Sequence, residues 1–244
     1  MNIILNKNSS KLLILLILTS NLFCYSQNTN TTELYKWLDN AVGKENLNIN
    51  NGRLLLNYDK PINGIDRFFS PIFENNSVQF DNQIYNDVTL NYDVLNDNVI
   101  IKPLGVNDRR QIIALKENID YFTINSKKFK NLNYKTANLP VFVTGFYEEK
   151  LVTSNVILFI KHLKNKRNFI NGDKTNDDFE DSNSFLIYYN EVYYEINSKK
   201  NSATLFPQLI ENIDAFYTNY DYLEQTNKTE FYEKLFNMIN ANLK

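Results

Sequence analysis

Residues 88–94 read Val88-Thr89-Leu90-Asn91-Tyr92-Asp93-Val94, with apolar and polar side chains in strict alternation. A period of two with one apolar face is typical of a half-buried antiparallel strand. Asn96 and Asp97 follow, and a second β-rich run begins at Asn98. Because asparagine and aspartate tolerate positive φ, we predict a hairpin at this point.

The same design recurs on both sides of this stretch. Upstream, Asp81-Asn82 separates two short β-rich runs, 77–80 and 83–85, and predicts a second hairpin. Asn51-Gly52 predicts another hairpin, between residues 47–50 and 53–58. Short connections place sequence neighbours beside each other in space, so we expect a meander. Further strands are predicted at residues 111–115, 119–125, 141–144, 145–152, 155–163, 184–190 and 192–196.

Three connecting segments differ in character. Residues 61–74 are irregular but apolar, and we expect them to cover an open sheet edge or the end of a barrel. Residues 127–138 read as a polar connector. Residues 171–183 are acidic and poor in apolar side chains, which predicts a mobile loop.

Helices are expected at the two ends of the chain. Apolar residues at helical spacing predict helices over about 32–42, 207–217 and 228–243. Trp37 lies on the stripe of the first helix, which favours packing in the core. The predicted fold class is α+β, mainly β. An antiparallel meander over about 47–197 forms a curled sheet or a partly open barrel, with one N-terminal and two C-terminal helices.

The first 26 residues read as a signal peptide. Lys7 and Lys11 precede an apolar run, residues 12–18, and small side chains lead to predicted cleavage between Ser26 and Gln27. Residues 27–244 then form a single exported domain. Cys24 is not preceded by the small residues typical of lipoprotein signals, so we do not expect lipidation. The expected location is the periplasm or the exterior of a Gram-negative cell.

Charge and cysteine content restrict the possible partners. Signal removal takes two lysines and no acids, which changes the net charge from −2 to −4 and argues against nucleic acid. Cys24 is the one cysteine and leaves with the signal, so the mature chain is cysteine-free and must be stabilised by burial. No transmembrane segment is expected after signal removal.

Residues 78–101, together with Gly145-Phe146-Tyr147-Glu148, carry a recurrent pattern. A turn, a Leu-x-Tyr-Asp strand, an aspartate turn and a Val-Ile strand are followed later by Gly-Phe-Tyr-Glu. This pattern resembles a group of exported, β-rich Gram-negative bacterial proteins with no assigned activity. The resemblance implies an exported protein of this type and no particular reaction.

Catalytic and metal signatures are weak. His162 is the single histidine, which excludes sites that need two, and its charged surroundings predict a solvated edge position. The acidic residues of 171–183 lack the EF-hand spacing for calcium. We therefore predict no metal, no cofactor and no catalytic residue. A carboxylate pair drawn from Asp93, Asp97, Glu148 and Glu149 stays open, because such a pair is defined in space.

The candidate ligand-binding residues are aromatic. Tyrosine combines an apolar body with a polar tip and suits binding surfaces. The candidates are Tyr188, Tyr189, Tyr193, Tyr194, Phe68 and Phe69. The first functional hypothesis is an exported, non-enzymatic protein that binds an unidentified protein partner or packs into an envelope assembly. The alternative is a periplasmic carrier of a lipid or other apolar ligand in a half-open barrel, and the third is a carboxylate-based hydrolase.

Overall fold

The computed structural model describes residues 31–62, 64–105, 110–171 and 174–243. The predicted signal peptide and its Ser26–Gln27 cleavage site lie outside the described residues. The chain divides into two compact units, residues 1–42 and residues 43–244. The described part of the first unit is helix α1, Thr31–Val42. Its stripe residues Leu34, Trp37 and Leu38 are exposed, with Trp37 at 66 %, which corrects the prediction that Trp37 packs in a core.

The second unit is built on an open antiparallel sheet of eleven strands, in the order β1-β5-β4-β3-β2-β6-β7-β8-β9-β12-β13. These strands are β1 Gly52–Leu54, β2 Glu74–Phe80, β3 Gln83–Asp93, β4 Asn98–Ile101, β5 Ile112–Ala114, β6 Ile119–Ile124, β7 Lys127–Asn131, β8 Phe146–Val152, β9 Val156–Lys161, β12 Ser184–Tyr189 and β13 Val192–Glu195. A separate two-stranded sheet consists of β10 Lys164–Asn171 and β11 Lys174–Asp181. The predicted α+β, mainly β, fold class is confirmed.

Four helices follow the sheet: α2 Lys199–Leu205, α3 Ile210–Asn219, α4 Asp221–Thr226 and α5 Lys228–Asn242. A 3-10 turn, Pro207–Leu209, leads into α3. The predicted C-terminal helices correspond to α3 and α5. The short helices α2 and α4 were not predicted, because neither contains enough apolar residues to show a helical period.

The central strands form where the alternation predicts, but the half-buried character expected of residues 88–94 is wrong at Asn91 and Asp93, which are also buried. Asp81 and Asn82 both have positive φ and join β2 to β3 in a two-residue turn, with Phe80 opposite Gln83. The runs 83–85 and 88–94, predicted as separate strands, are one strand. A bulge at Asp87, with φ 60°, keeps Tyr85 on the same buried face as Val88.

The order of the strands forces the sheet to curl. Strands β5 and β6 are separated in the sheet by β4, β3 and β2, about 19 Å if the sheet were flat. Five residue steps from Ala114 to Ile119 join them, and the 3-10 turn Lys116–Asn118 shortens this connection. A connection of this length cannot span a flat sheet, since even full extension gives at most about 18 Å. The meander prediction is wrong at this point, because β2 pairs with β6 and β1 with β5.

Curling buries one sheet face on itself in the first half of the sheet. Tyr92, Phe122, Phe129 and Phe146 are fully buried there, and the rings of Phe122 and Phe129 stack with centroids 4.9 Å apart. In the second half the C-terminal helices cover the same face. Phe129 lies opposite Glu148, and Glu148 opposite Ile160, so all three side chains share that face. Ile160 belongs to the cluster that packs under the helices.

Several local predictions are corrected. Residues 47–50 form no hairpin with 53–58, because Asn48–Asn50 is a 3-10 turn that buries Ile49 and β1 pairs with β5. The expected polar connector contains β7, whose Phe129 is fully buried. Residues 141–144 form a turn and no strand. The expected acidic loop contains β11, which pairs with β10 along its whole length and buries Phe179.

The apolar segment 61–74 covers the end of β3, within its described residues. The Phe69 N–H donates to the carbonyl of Tyr92, and the Val94 N–H donates to the carbonyl of Arg67, both at about 3 Å. Phe68 forms an isolated antiparallel bridge with Asp93. The segment therefore lies against the sheet, as its composition predicts.

Candidate functional site

Strands β12 and β13 form the predicted tyrosine-rich hairpin at one edge of the large sheet. Asn190 and Glu191 have φ values of 48° and 63°, which suit a two-residue turn. Tyr188 lies directly opposite Tyr193, and their ring centroids are 4.8 Å apart. Tyr189 packs on the Phe206 ring at 5.0 Å, on the face that the helices cover. The four tyrosines thus divide between both faces of the hairpin.

The outer edge of β13 carries free backbone hydrogen-bonding groups. The Ile196 N–H donates to the Phe185 carbonyl at 3.0 Å, which sets the phase of the β12–β13 ladder. In an antiparallel pair, bonded and non-bonded positions alternate. Tyr193 and Glu195 therefore direct their N–H and carbonyl groups away from β12. In the described part of the chain, no hydrogen bond reaches these groups.

A surface groove of about 650 Å³ runs along this free edge. Tyr193 and Tyr194 both line it, although successive strand residues point to opposite faces, so the groove follows the edge itself. Helix α2 supplies the opposite wall. The lining residues are Phe142, Tyr193, Tyr194, Glu195, Ile196, Lys200, Asn201, Thr204 and Leu205.

The other two tyrosines lie at a second hollow. Tyr188 and Tyr189 line a more polar space of about 390 Å³ near the β12–β13 turn. Its other lining residues are Thr153, Ser154, Asn155, Ile157, Asn190, Glu191 and Leu243. The sequence grouped four tyrosines as one candidate platform, and the structure distributes them over two neighbouring surfaces.

Phe68 and Phe69 belong to a different part of the molecule. The Phe68 ring contacts Phe73 edge-on at 5.4 Å, and the Phe69 ring contacts Phe129 at 5.0 Å. Phe69 also lines a small space of about 130 Å³ beside His162. Neither phenylalanine lines the groove at β13, so the structure does not join them to the tyrosines in one site.

His162 is not the solvated edge residue that the sequence predicted. Its Nε2 lies 2.6 Å from Glu148 Oε2, and its ring contacts Phe69 with centroids 4.8 Å apart. Glu148 is 2 % exposed, and its Oε2 also forms an ion pair with the Lys127 Nζ at 3.2 Å. Burial raises the pKa of Glu148, but the hydrogen bond and charge of His162, together with Lys127, outweigh burial and lower this pKa overall.

The four candidate carboxylates are all ion-paired. Asp93 Oδ2 lies 3.1 Å from Arg67, Glu149 Oε2 lies 3.0 Å from Lys128, and Asp97 Oδ2 lies 2.7 Å from Lys161. Glu148 pairs with His162 and Lys127. A glycosidase needs one acid with a raised pKa. The pKa of Glu148 moves in the opposite direction, so Glu148 does not have the electrostatics of such an acid.

Asp97 lies at the centre of a partly buried polar cluster that the sequence did not reveal. It accepts a hydrogen bond of 2.6 Å from the Tyr92 hydroxyl and pairs with both Lys116 and Lys161. Lys161 is 5 % exposed and also donates to the Thr144 carbonyl at 2.7 Å. Burial lowers the pKa of Lys161 to about 8, although the charge of Asp97 acts in the opposite direction.

The acidic segment that the sequence raised as a possible calcium site belongs to the β10–β11 hairpin, and its Asp177 contacts other parts of the protein. Asp177 accepts the Lys60 N–H at 2.8 Å and pairs with Lys166 at 3.1 Å. Asp173, another acidic residue of the predicted loop 171–183, lies outside the described residues. Among the residues that the structure does describe, no group of three or more histidine, cysteine and acidic side chains is arranged to hold a metal ion.

Comparison with protein-family models, with curated proteins and with solved structures finds no match to this chain. The resemblance to exported Gram-negative proteins therefore stays a prediction. None of the described helices has the length and apolar content needed to cross a membrane.

Gly145 allows the Asp97 cluster to form. Its φ is +69°, and a Cβ at this position would collide with the Asp97 carboxylate. Gly64 has a similar φ of +72° with nothing within 4 Å, so it is a matched control. We expect Gly64→Ala to cost roughly 1–2 kcal/mol of unfolding free energy for the backbone alone. Gly145→Ala should cost about 1–3 kcal/mol more because of crowding. Urea unfolding measures both, and equal losses would contradict the packing at Asp97.

The lowered pKa of Lys161 makes stability depend on pH. Between about pH 8 and its ordinary value of 10.5, the unfolded chain binds more protons at this residue, so stability rises with pH. We expect the unfolding free energy to rise, relative to Lys161→Met, by about 2 kcal/mol between roughly pH 7.5 and 9.5. Lys199→Met removes an exposed lysine and serves as the control. Denaturant unfolding at each pH provides the measurement, and parallel curves for the protein and Lys161→Met would refute the burial effect.

Proposed function

We propose that the protein is an exported, non-enzymatic binding protein that takes up an extended segment of a partner protein along the edge of β13. One observation carries the proposal: the backbone groups of Tyr193 and Glu195 face a groove and have no hydrogen-bond partner in the described chain. Strand addition at a sheet edge supplies main-chain hydrogen bonds for affinity and side-chain pockets for specificity.

The walls of the groove suit a peptide. Phe142, Tyr194 and Leu205 offer apolar surface, while Lys200 and Asn201 offer polar contacts from α2. An added strand would alternate its side chains between the two sheet faces, and Tyr193 and Tyr194 offer one ring to each face. The mixture of backbone, apolar and polar contacts favours a polypeptide over a small ligand.

The two other functional hypotheses receive less support. A carrier of an apolar ligand needs a large apolar cavity. The concave face of the described sheet is filled by rings such as Tyr92, Phe122 and Phe129. A hydrolase needs an acid that is free to change its protonation state, and the candidate carboxylates are held in ion pairs.

Export is part of the proposal and depends on the sequence of residues 1–26. A partner segment in the cell envelope would follow from that location. A single cysteine leaves no possibility of an intrachain disulfide, and the described body is stabilised by burial.

The test removes one backbone donor, the Glu195 N–H on the outer edge of β13, and leaves the β12–β13 hydrogen bonds in place. Glu195→Pro deletes the N–H that faces the groove, and Glu195→Ala loses the same side chain but keeps this N–H. The probe is a set of nine-residue peptides selected from a random phage-displayed library on the unmodified protein. Loss of one backbone hydrogen bond should weaken their binding about tenfold in Glu195→Pro, with little change in Glu195→Ala.

Two measurements complete the test. Circular dichroism and thermal unfolding should show that both variants keep the fold. Amide hydrogen exchange should show that Tyr193 and Glu195 become protected when a selected peptide binds. Peptides that bind both variants equally, or that leave these two amides unprotected, would contradict strand addition at β13.

A further inference from the structure

The opposite edge of the large sheet exposes an unusual aliphatic segment. Strand β1 is exposed along its whole length, and Leu54 and Leu56 are 53 % and 61 % exposed. Tyr58, two residues further on, is 79 % exposed. A sheet edge with exposed apolar side chains is a template for pairing with another chain.

The hydrogen-bond phase of β1 leaves its outer groups free. The Leu55 N–H donates to the Gln111 carbonyl at 2.9 Å, and Leu54 lies opposite Ile112. Leu55 therefore faces β5, and the N–H and carbonyl of Leu54 point outward. In the described part of the chain, the Leu54 N–H donates no hydrogen bond and the Leu54 carbonyl accepts none.

A second copy of the same segment complements this edge. In an antiparallel pair with the two-fold axis at Leu55 and the extended backbone continued to Leu56, Leu54 lies opposite Leu56 of the second copy, and the outward backbone groups of Leu54 face that residue. Arg53 then lies opposite Asn57 of the second copy, so this register places no like charges opposite each other. Leu54 and Leu56 of both copies then lie on the same face and form one apolar cluster.

We propose that two copies of this chain associate through β1 in this antiparallel register. The contact is isologous, because the same surface patch is used on both copies, and it closes at a dimer. The two sheets continue across the axis as one. The groove at β13 lies at the other edge of each sheet, so this dimer goes beyond the proposed peptide binding and leaves both grooves available.

Sedimentation velocity over a range of protein concentrations tests the association. The protein should sediment as a monomer–dimer mixture, and Leu56→Lys should raise the dimer dissociation constant at least about tenfold by placing charge in the leucine cluster. Val152→Lys is the matched control, because Val152 is 63 % exposed and lies on β8, away from this edge. A monomer at all concentrations, or equal weakening by both variants, would overturn the proposal.

Cysteine cross-linking tests the register. In a Cys24→Ser background, Leu55→Cys places two cysteines across the axis, where facing Cα atoms of a non-hydrogen-bonded pair are about 4.5 Å apart and suit a disulfide. Arg53→Cys is the control, since its two copies would be offset by four residues, or about 13 Å. Oxidation should give covalent dimers of Leu55→Cys and not of Arg53→Cys. Equal or reversed cross-linking would overturn the register, and reduced samples should unfold like the parent protein.

Discussion

One apolar face of an open eleven-stranded sheet has to be removed from water, and the rest of the structure follows from how this is done. The first half of the sheet curls, so that Tyr92, Phe122 and Phe129 pack on one another. In the second half α3 and α5 cover the same face. Burial of this face is the main favourable contribution to folding, and the one cysteine of the chain, Cys24, permits no intrachain disulfide.

The boundary between the two halves explains where charge is buried. Glu148 lies on the apolar face between Phe129 and Ile160 and is held as an ion by His162 and Lys127. An unpaired carboxylate at this position would carry a large desolvation penalty. At the turn between β3 and β4, the charge of Asp97 is likewise compensated, because Lys116 and Lys161 both pair with it. The charged groups of both clusters therefore have structural partners.

Local signals in the sequence predicted local structure well. The alternation of residues 88–94 and the Asp81-Asn82 turn both depend on contacts within a few residues, and both form as expected. The hairpin predicted at Asn51-Gly52 does not form. The burial of Ile49 and the pairing of β1 with the distant β5 stabilise the chain more than this local turn would. The Asp97–Lys161 pair and the groove at β13 depend on strand order, which a single sequence does not encode in any short pattern. Tyr193 and Tyr194, which line the groove, could be predicted as candidates because a cluster of aromatic residues in a hairpin can be recognised in the sequence.

An open sheet has two edges, and natural proteins control edges because unlike edges that fit each other build filaments. The two edges here differ in chemistry. Strand β1 presents leucines and a register that suits its own copy, whereas β13 presents Tyr193 and Glu195 beside the wall of α2, which carries the charged Lys200. Pairing of β1 with β13 would remove water from the ammonium of Lys200 beside Leu54 or Leu56, whereas pairing of β1 with its own copy places leucines against leucines and avoids this desolvation cost. The difference between the edges therefore favours a closed contact at β1 and keeps β13 available for a different strand.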